Sequence, residues 1–281
     1  MLRAMTGRPS YLFLRFAARV PLTLIASTLI VGAAQAAESA CTLAPLGAGI
    51  VVSVLDGRSF LLDDGREVRL AGLHVPLLAR AGDKDEIAGR AAKAALESLL
   101  AGQAVTLKAP KAASDRYGRL LAYAFVNDSE NPVQHSLLLQ GQAFAAARPD
   151  HRACHAELLA REKTARDAKL GLWADPVYAM RRAESGAALL AARGRFAVIE
   201  GKVVSVRESG GTIYVNFGRR WSQSLTLTIR KRDARQFAAA GIEPKKLEGR
   251  LVRVRGWIEE RGGARVEALH PEQIELAEQN E

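Results

Sequence analysis

The chain has 281 residues, 48% of them apolar, and 40 Lys and Arg against 30 Asp and Glu, a formal net charge of +10. That composition excludes a disordered or fibrous chain, and the length suits two domains better than one. The positive balance favours polyanionic partners such as nucleic acid, anionic membrane or acidic glycan.

Arg3, Arg8, Arg15 and Arg19 precede an acid-free apolar run, Val20 to Ala33, which leads into Ala34-Gln35-Ala36. A basic region, an apolar region and an A-x-A site predict a signal peptide over 1–36, with a mature chain starting near Ala37, periplasmic or secreted. The run is short for a membrane span, and no later segment suits one. The chain holds 2 cysteines, Cys41 and Cys154, and in an oxidising compartment they are expected to pair.

From Gly49, the runs GIVVSVLDG, SFLLDDG and REVRLAGL predict strands joined by tight turns at Asp-Gly pairs, where glycine supplies positive φ. The polar piece ARAGDKDE follows Pro76. An Ala-rich segment with a leucine stripe then predicts a helix over 87–100, ended at Gly102. AVTLKAP and LLAYAFVND read as strands around the turn SDRYGR. PVQHSLLLQG reads as a short helix opened by Pro132 and closed by Gly141. Residues 150–169 read as a longer charged helix, and His151 and His155 on it read as solvent-facing, because a metal would need a third ligand. LGLW is a buried stop.

Residues 174–194 carry helical signals and two glycines, Gly186 and Gly194, and read as a helical connector. It would join a domain over 37–173 to one over 195–281. In the latter, three strand-like runs, a helix-like DARQFAAAG and two further strand-like runs follow the order of a small OB-type barrel. Tyr214 and Trp221, beside Arg219 and Arg220, are candidates for base stacking and phosphate contact there, with Phe217 alternating onto the core face.

The ordered motifs VxxVLDG(R)SFxL, VRLAGLxVP, SDRYGRLLAY and GLW resemble the thermonuclease, or staphylococcal-nuclease-like, family from about Gly49 to Trp173. The resemblance implies an OB-type five-stranded barrel with three helices. The expected fold class is thus mainly β with α (α+β), that barrel being followed by a second small OB-like barrel. It also implies a calcium-dependent phosphodiesterase. Carboxylates hold the metal, a glutamate activates water, and two arginines stabilise charge on the phosphate.

Only part of that set is present. Arg69 in VRL and Arg119 in DRYGR match the family's catalytic arginines, and Arg116 and Tyr117 match residues that lie against a bound nucleotide. The first calcium aspartate falls on Arg58, the second on His74, and the general-base glutamate on Leu77. The tyrosines that stack on the base fall in Ala145-Ala146-Ala147-Arg148. The expectation is therefore a degenerate nuclease with no metal and no cofactor, the calcium being lost, that binds nucleic acid or another phosphate-bearing anion through Arg58, Arg69 and Arg119. Two alternatives stand beside it. One is an active nuclease using His74 as base or loop acids (Asp63, Asp64, Asp83, Asp85, Glu86) as replacement ligands. The other is an envelope protein-interaction module.

Overall fold

The computed structural model describes residues 41–78, 83, 85–146 and 154–277, so the signal-peptide reading over 1–36 lies outside the described residues. Ser39–Glu281 forms one compact unit.

A closed barrel is built from β1 (Ala44–Asp56), β2 (Ser59–Leu62), β3 (Glu67–Leu70), β5 (Ala104–Ala109) and β6 (Leu120–Val126), in the order β1-β2-β3-β6-β5. β1 closes it. Its first part pairs with β5 and its second with β2, and register shifts at Val51/Ser53 and Val54/Asp56 bend it round the corner. Alternating side chains of these strands, among them Val51, Phe60, Leu62, Val68, Leu70 and Leu107, fill the interior. The two Asp-Gly turns differ physically. Gly65 has the expected positive φ of 85°. Gly57 does not, and is required by packing: a Cβ there would lie 2.7 Å from both the Ala92 Cβ and the Val75 Cγ1.

Three helices pack on this barrel. α1 (Glu86–Leu100) buries Gly89, Ala92, Leu96 and Leu100, one stripe of its surface. α2 (Val133–Leu139) and α3 (His155–Asp167) follow, and a disulfide from Cys41 to Cys154 ties the approach to β1 to the start of α3. The buried stripe of α3 is His155, Leu158, Glu162 and Ala165. His155 is therefore not solvent-facing, and His151 falls outside the described residues. β4 (Leu73–His74) pairs with β7 (Phe144–Ala145) at the mouth of the barrel.

The C-terminal half departs from expectation. Among the described residues it contains no second closed barrel. β8 (Arg181–Arg182), β9 (Phe196–Lys202), β13 (Leu251–Trp257) and β16 (Ile274–Leu276) form an open four-stranded sheet, ordered β16-β13-β9-β8. β10 (Ser205–Ser209), β11 (Thr212–Asn216), β12 (Thr226–Arg230), β14 (Glu259–Glu260) and β15 (Ala264–Ala268) form an open five-stranded one, ordered β10-β11-β12-β15-β14. α5 (Ala234–Ala239) does lie between the third and fourth strand-like runs. The split begins at Val203 and Val204, whose amides bond to opposite partners, the carbonyls of Arg250 and Asn216. β13 then faces β15 through side chains rather than ladder bonds; a Cβ on Gly256 would meet Val266 Cγ1 at 2.7 Å.

Residues 174–194 join this half as well. β8 pairs in parallel with β9, and α4 (Gly186–Leu190) follows it, with Ala183, Leu189 and Ala192 in the C-terminal core. The other face of β9 meets the first half. Phe196 and Val198 pack with Phe144, Ala165, Leu172, Trp173 and Tyr178. GLW is a 3-10 turn whose Trp173 is buried in that joint. Among the described residues, no helix is long and apolar enough to cross a membrane.

Candidate functional site

Arg58 lies in the β1–β2 turn, where its amide donates to Asp56 Oδ1 at 2.8 Å and its carbonyl accepts from Leu70 N at 2.7 Å. Ser59 is opposite Arg69 on β3. This cross-strand pairing brings Arg58 and Arg69 to the same cavity, of about 490 Å³, with His74 also in its wall. The far wall comes from the C-terminal half, through Phe196, Trp257 and Leu269 among others. The face of the barrel carrying the sequence-predicted site is thus roofed by β9 and β13.

His74 is held in that roof by rings. Its imidazole stacks on Phe196 with centroids 4.5 Å apart and meets Trp257 edge-on at 5.2 Å. Burial pushes its pKa down to about 3, with Arg58 and Arg69 adding repulsion of the protonated form. It is a neutral packing residue at ordinary pH.

Arg119 lies outside the cavity. Asp115, also in the SDRYGR turn, holds it through Nε at 2.8 Å and Nη2 at 2.7 Å, and Glu67 stands 3.6 Å away. Partial burial alone would raise the Asp115 carboxyl; the hydrogen bonds from Arg119 and the backbone amides carry it below the usual range. Arg69 Nη1 reaches the same carboxylate at 4.0 Å. Asp115, which sequence reasoning did not single out, therefore links Arg69 and Arg119. Beyond it, Tyr117 is exposed, with the guanidinium carbons of Arg116 and Arg119 at 4.8 and 5.1 Å from its ring centre. The cations form a path from the cavity to the exposed turn, not a three-arginine pocket.

The family's calcium does not fit these side chains. A hard dication takes several convergent oxygens. Here the matching positions offer the Arg58 guanidinium, a desolvated imidazole and the aliphatic Leu77. A Cβ on Gly89 would lie 2.2 Å from the Leu77 carbonyl oxygen, so this stretch of chain passes directly against α1. The acids lining the cavity, Glu259 and Glu267, belong to the C-terminal half, and Glu259 is bonded to Arg265 at 2.7 Å. The replacement acids have other tasks. Asp63 accepts from Ile50 N at 3.0 Å, Asp64 pairs with Arg66 at 2.6 Å, and Glu86 pairs with Arg90 at 3.0 Å. Asp85 accepts from Tyr178 Oη and from Arg195. Among the described residues, no three His, Cys, Asp or Glu side chains converge as a metal site would require.

The roof is fixed by a buried ion pair. Arg255 on β13 and Glu162 on α3 are both fully buried and bond twice, at 3.0 Å each. Arg255 also donates to the Ala145 carbonyl at 2.7 Å and to Glu275, while Glu162 accepts from the Ala145 amide at 2.6 Å. His155 Nε2 adds a contact of 3.0 Å to the Glu272 carbonyl. A helical stripe running from Leu158 to Ala165 through Glu162 is the sequence signal that could have found this glutamate.

Tyr214 and Trp221 do not approach this cavity. They line a separate groove of about 730 Å³ on the five-stranded sheet, and Phe217 is buried in the core beneath.

A scan against protein families matches residues 67–175 to "Staphylococcal nuclease homologue". The chain is 29% identical over 127 residues to the thermonuclease of Staphylococcus intermedius, covering 44% of this chain and 74% of that one. It is 32% identical over 136 residues to protein ParB of Escherichia coli, covering 46% of this chain and 73% of that one. With the closed barrel and its three helices, these likenesses establish that the chain belongs to the staphylococcal nuclease homologue family.

Proposed function

We propose that this protein binds phosphate-bearing anions, nucleic acid included, in the cavity flanked by Arg58 and Arg69, and that it does not hydrolyse them. The observation that carries this reading is that Arg58 and Arg69 wall one cavity, with Arg58 standing where the family's chemistry would need a carboxylate. A guanidinium presents planar, paired donors suited to phosphate oxygens. A fixed cation at position 58 supplies part of the charge that a calcium ion would bring, without a place for attacking water to be activated. The roof of Phe196 and Trp257 suits a phosphate terminus or a small phosphoanion better than a duplex passing through. Arg116 and Tyr117 would guide the rest of a polyanion along the outer turn.

The active-nuclease reading loses support because His74 is neutral and ring-packed, while Asp63, Asp64, Asp85 and Glu86 serve other partners. Export is part of the proposal. The residues 1–36 read as a leader, and the Cys41–Cys154 bridge supports an oxidising compartment.

Isothermal titration with inorganic pyrophosphate tests the binding claim. Binding should weaken roughly tenfold or more in Arg58→Ala and in Arg69→Ala, since a charge-assisted hydrogen bond contributes about 1.5–3 kcal/mol. Absence of binding, or binding unaffected by both substitutions, would sink it.

A further inference from the structure

The groove on the C-terminal sheet is assembled with more order than a surface depression needs. The outward side chains of β10, β11, β12 and β15 make its floor. Arg207 stands opposite Tyr214, Asn216 opposite Thr226, and Thr226 opposite Arg265. Since neighbouring strands lie about 4.8 Å apart, the floor from Arg207 to Arg265 is about 14 Å wide. Arg219 and Arg261 also line the groove, and among the described residues no acid does. Glu259, just outside, holds Arg265 at 2.7 Å and Arg261 at 3.8 Å, which fixes two of the four cations in place.

Trp221 is the unusual element. It is 57% exposed, yet it is not loose. A Cβ on Gly262 would fall 2.3 Å from its Cζ3, and one on Gly263 would fall 2.6 Å from its carbonyl oxygen. Gly262 thus gives the indole a side-chain-free surface to rest on, and Gly263 lets the Trp221 main chain come close, leaving much of the ring open to solvent beside Arg219. A large exposed aromatic held by a side-chain-free turn costs apolar exposure that core packing does not explain.

We infer that this groove is a second binding site, for single-stranded nucleic acid, with Trp221 and Tyr214 as base-stacking platforms and Arg207, Arg219, Arg261 and Arg265 meeting the phosphates. Stacking on an aromatic side chain is tolerant of base identity, and the cations follow a backbone rather than read a sequence. Asn216 and Thr226 offer hydrogen-bonding groups for a base edge at the floor. The site shares no residue with the Arg58–Arg69 cavity, so it stands independently of that reading.

The test is fluorescence anisotropy of a labelled short oligothymidylate against the mature protein, with competition by dextran sulfate, a polyanion that has no bases. Trp221→Ala should weaken oligothymidylate binding about tenfold, within the range that stacking on one base supplies. Trp221→Phe should recover most of that loss, and dextran sulfate affinity should be alike in all three proteins. Trp221 is outside the cores, so these variants fold. Wild-type affinity in Trp221→Ala, or an equal loss toward dextran sulfate, would overturn the inference. Inorganic pyrophosphate reads the other cavity separately. Loss of that signal with intact oligothymidylate binding would sink the cavity reading alone, and the reverse pattern would sink this one.

Discussion

Substituting Glu162 tests how the C-terminal half is held over the barrel. Glu162→Gln preserves shape and still lets an amide oxygen accept from Ala145 N, but it removes the charge that faces Arg255. Breaking one partner of a buried ion pair commonly costs about 3–5 kcal/mol, because the remaining charge is stranded in a poor solvent. Glu275 stays beside Arg255 as a second carboxylate, so the loss should fall at the low end, about 3 kcal/mol. At 2–4 °C per kcal/mol for a unit of this size, the midpoint of thermal unfolding should drop by about 6–12 °C. Urea unfolding followed by tryptophan fluorescence would measure it, since Trp173 lies in the joint itself. Arg255→Met combined with Glu162→Leu should cost clearly less than the two single changes summed, because no unpaired member of that pair then remains. A Glu162→Gln protein within about 0.5 kcal/mol of wild type, the size of an ordinary surface change, would refute the reasoning. So would strict additivity in the cycle.

Acid should destabilise the fold through three histidines. Burial holds His74 and His155 near a pKa of about 3 and His135 near about 4. The unfolded chain takes up these protons near pH 6.5, so this contribution is complete above that pH and is lost as pH falls toward the folded-state values. Each histidine contributes a slope of about 1.4 kcal/mol per pH unit, or about 4 for the three between pH 5.5 and 4.5; denaturation midpoints that stay flat from pH 7 to 4.5 would contradict this. Reducing the Cys41–Cys154 bridge frees a loop spanning 113 residues of sequence separation, and the chain-entropy model gives a loss of about 5 kcal/mol, readable as a fall in the urea midpoint on adding reductant. An unchanged midpoint would mean that the bridge constrains little. Arg69→Ala should weaken oligonucleotide binding at the barrel and lower the magnitude of the salt slope, log K against log salt, by about 0.7, the share of one phosphate contact on a single strand. An unaltered slope would remove Arg69 from the interface.

The first half was legible because its signals are local. Alternation in VRL and SFLL, the leucine stripe of α1 and the turn SDRYGR each specify their own structure. Gly57 was assigned to the right corner for the wrong reason: its requirement comes from Ala92 and Val75, distant in sequence. The same non-locality hid the roof. In VRVRGW, period-two alternation turns Arg253 and Arg255 away from Val252 and Val254, which alone implies solvent. α3 instead covers that face, and the charge of Arg255 is matched by a glutamate 93 residues away. The strand order of the C-terminal half read as a barrel because order does not encode closure. Closure depends on whether β13 bonds to β15, and the hand-over at Val203–Val204 and side-chain packing at Gly256 keep those strands unpaired. His74 reads as a rim histidine in sequence; only Phe196 and Trp257 make it a half-buried, ring-packed one.

In the proposed function, Arg58, His74 and Leu77 have removed hydrolysis while Arg58 and Arg69 keep the anion. Cleavage of labelled single- and double-stranded DNA by the purified protein, with Ca²⁺, Mg²⁺, Mn²⁺ or EDTA and beside Arg119→Ala, tests this. No cutting above the Arg119→Ala background is expected under any of these conditions. Metal-dependent cutting that disappears in Arg119→Ala would contradict it.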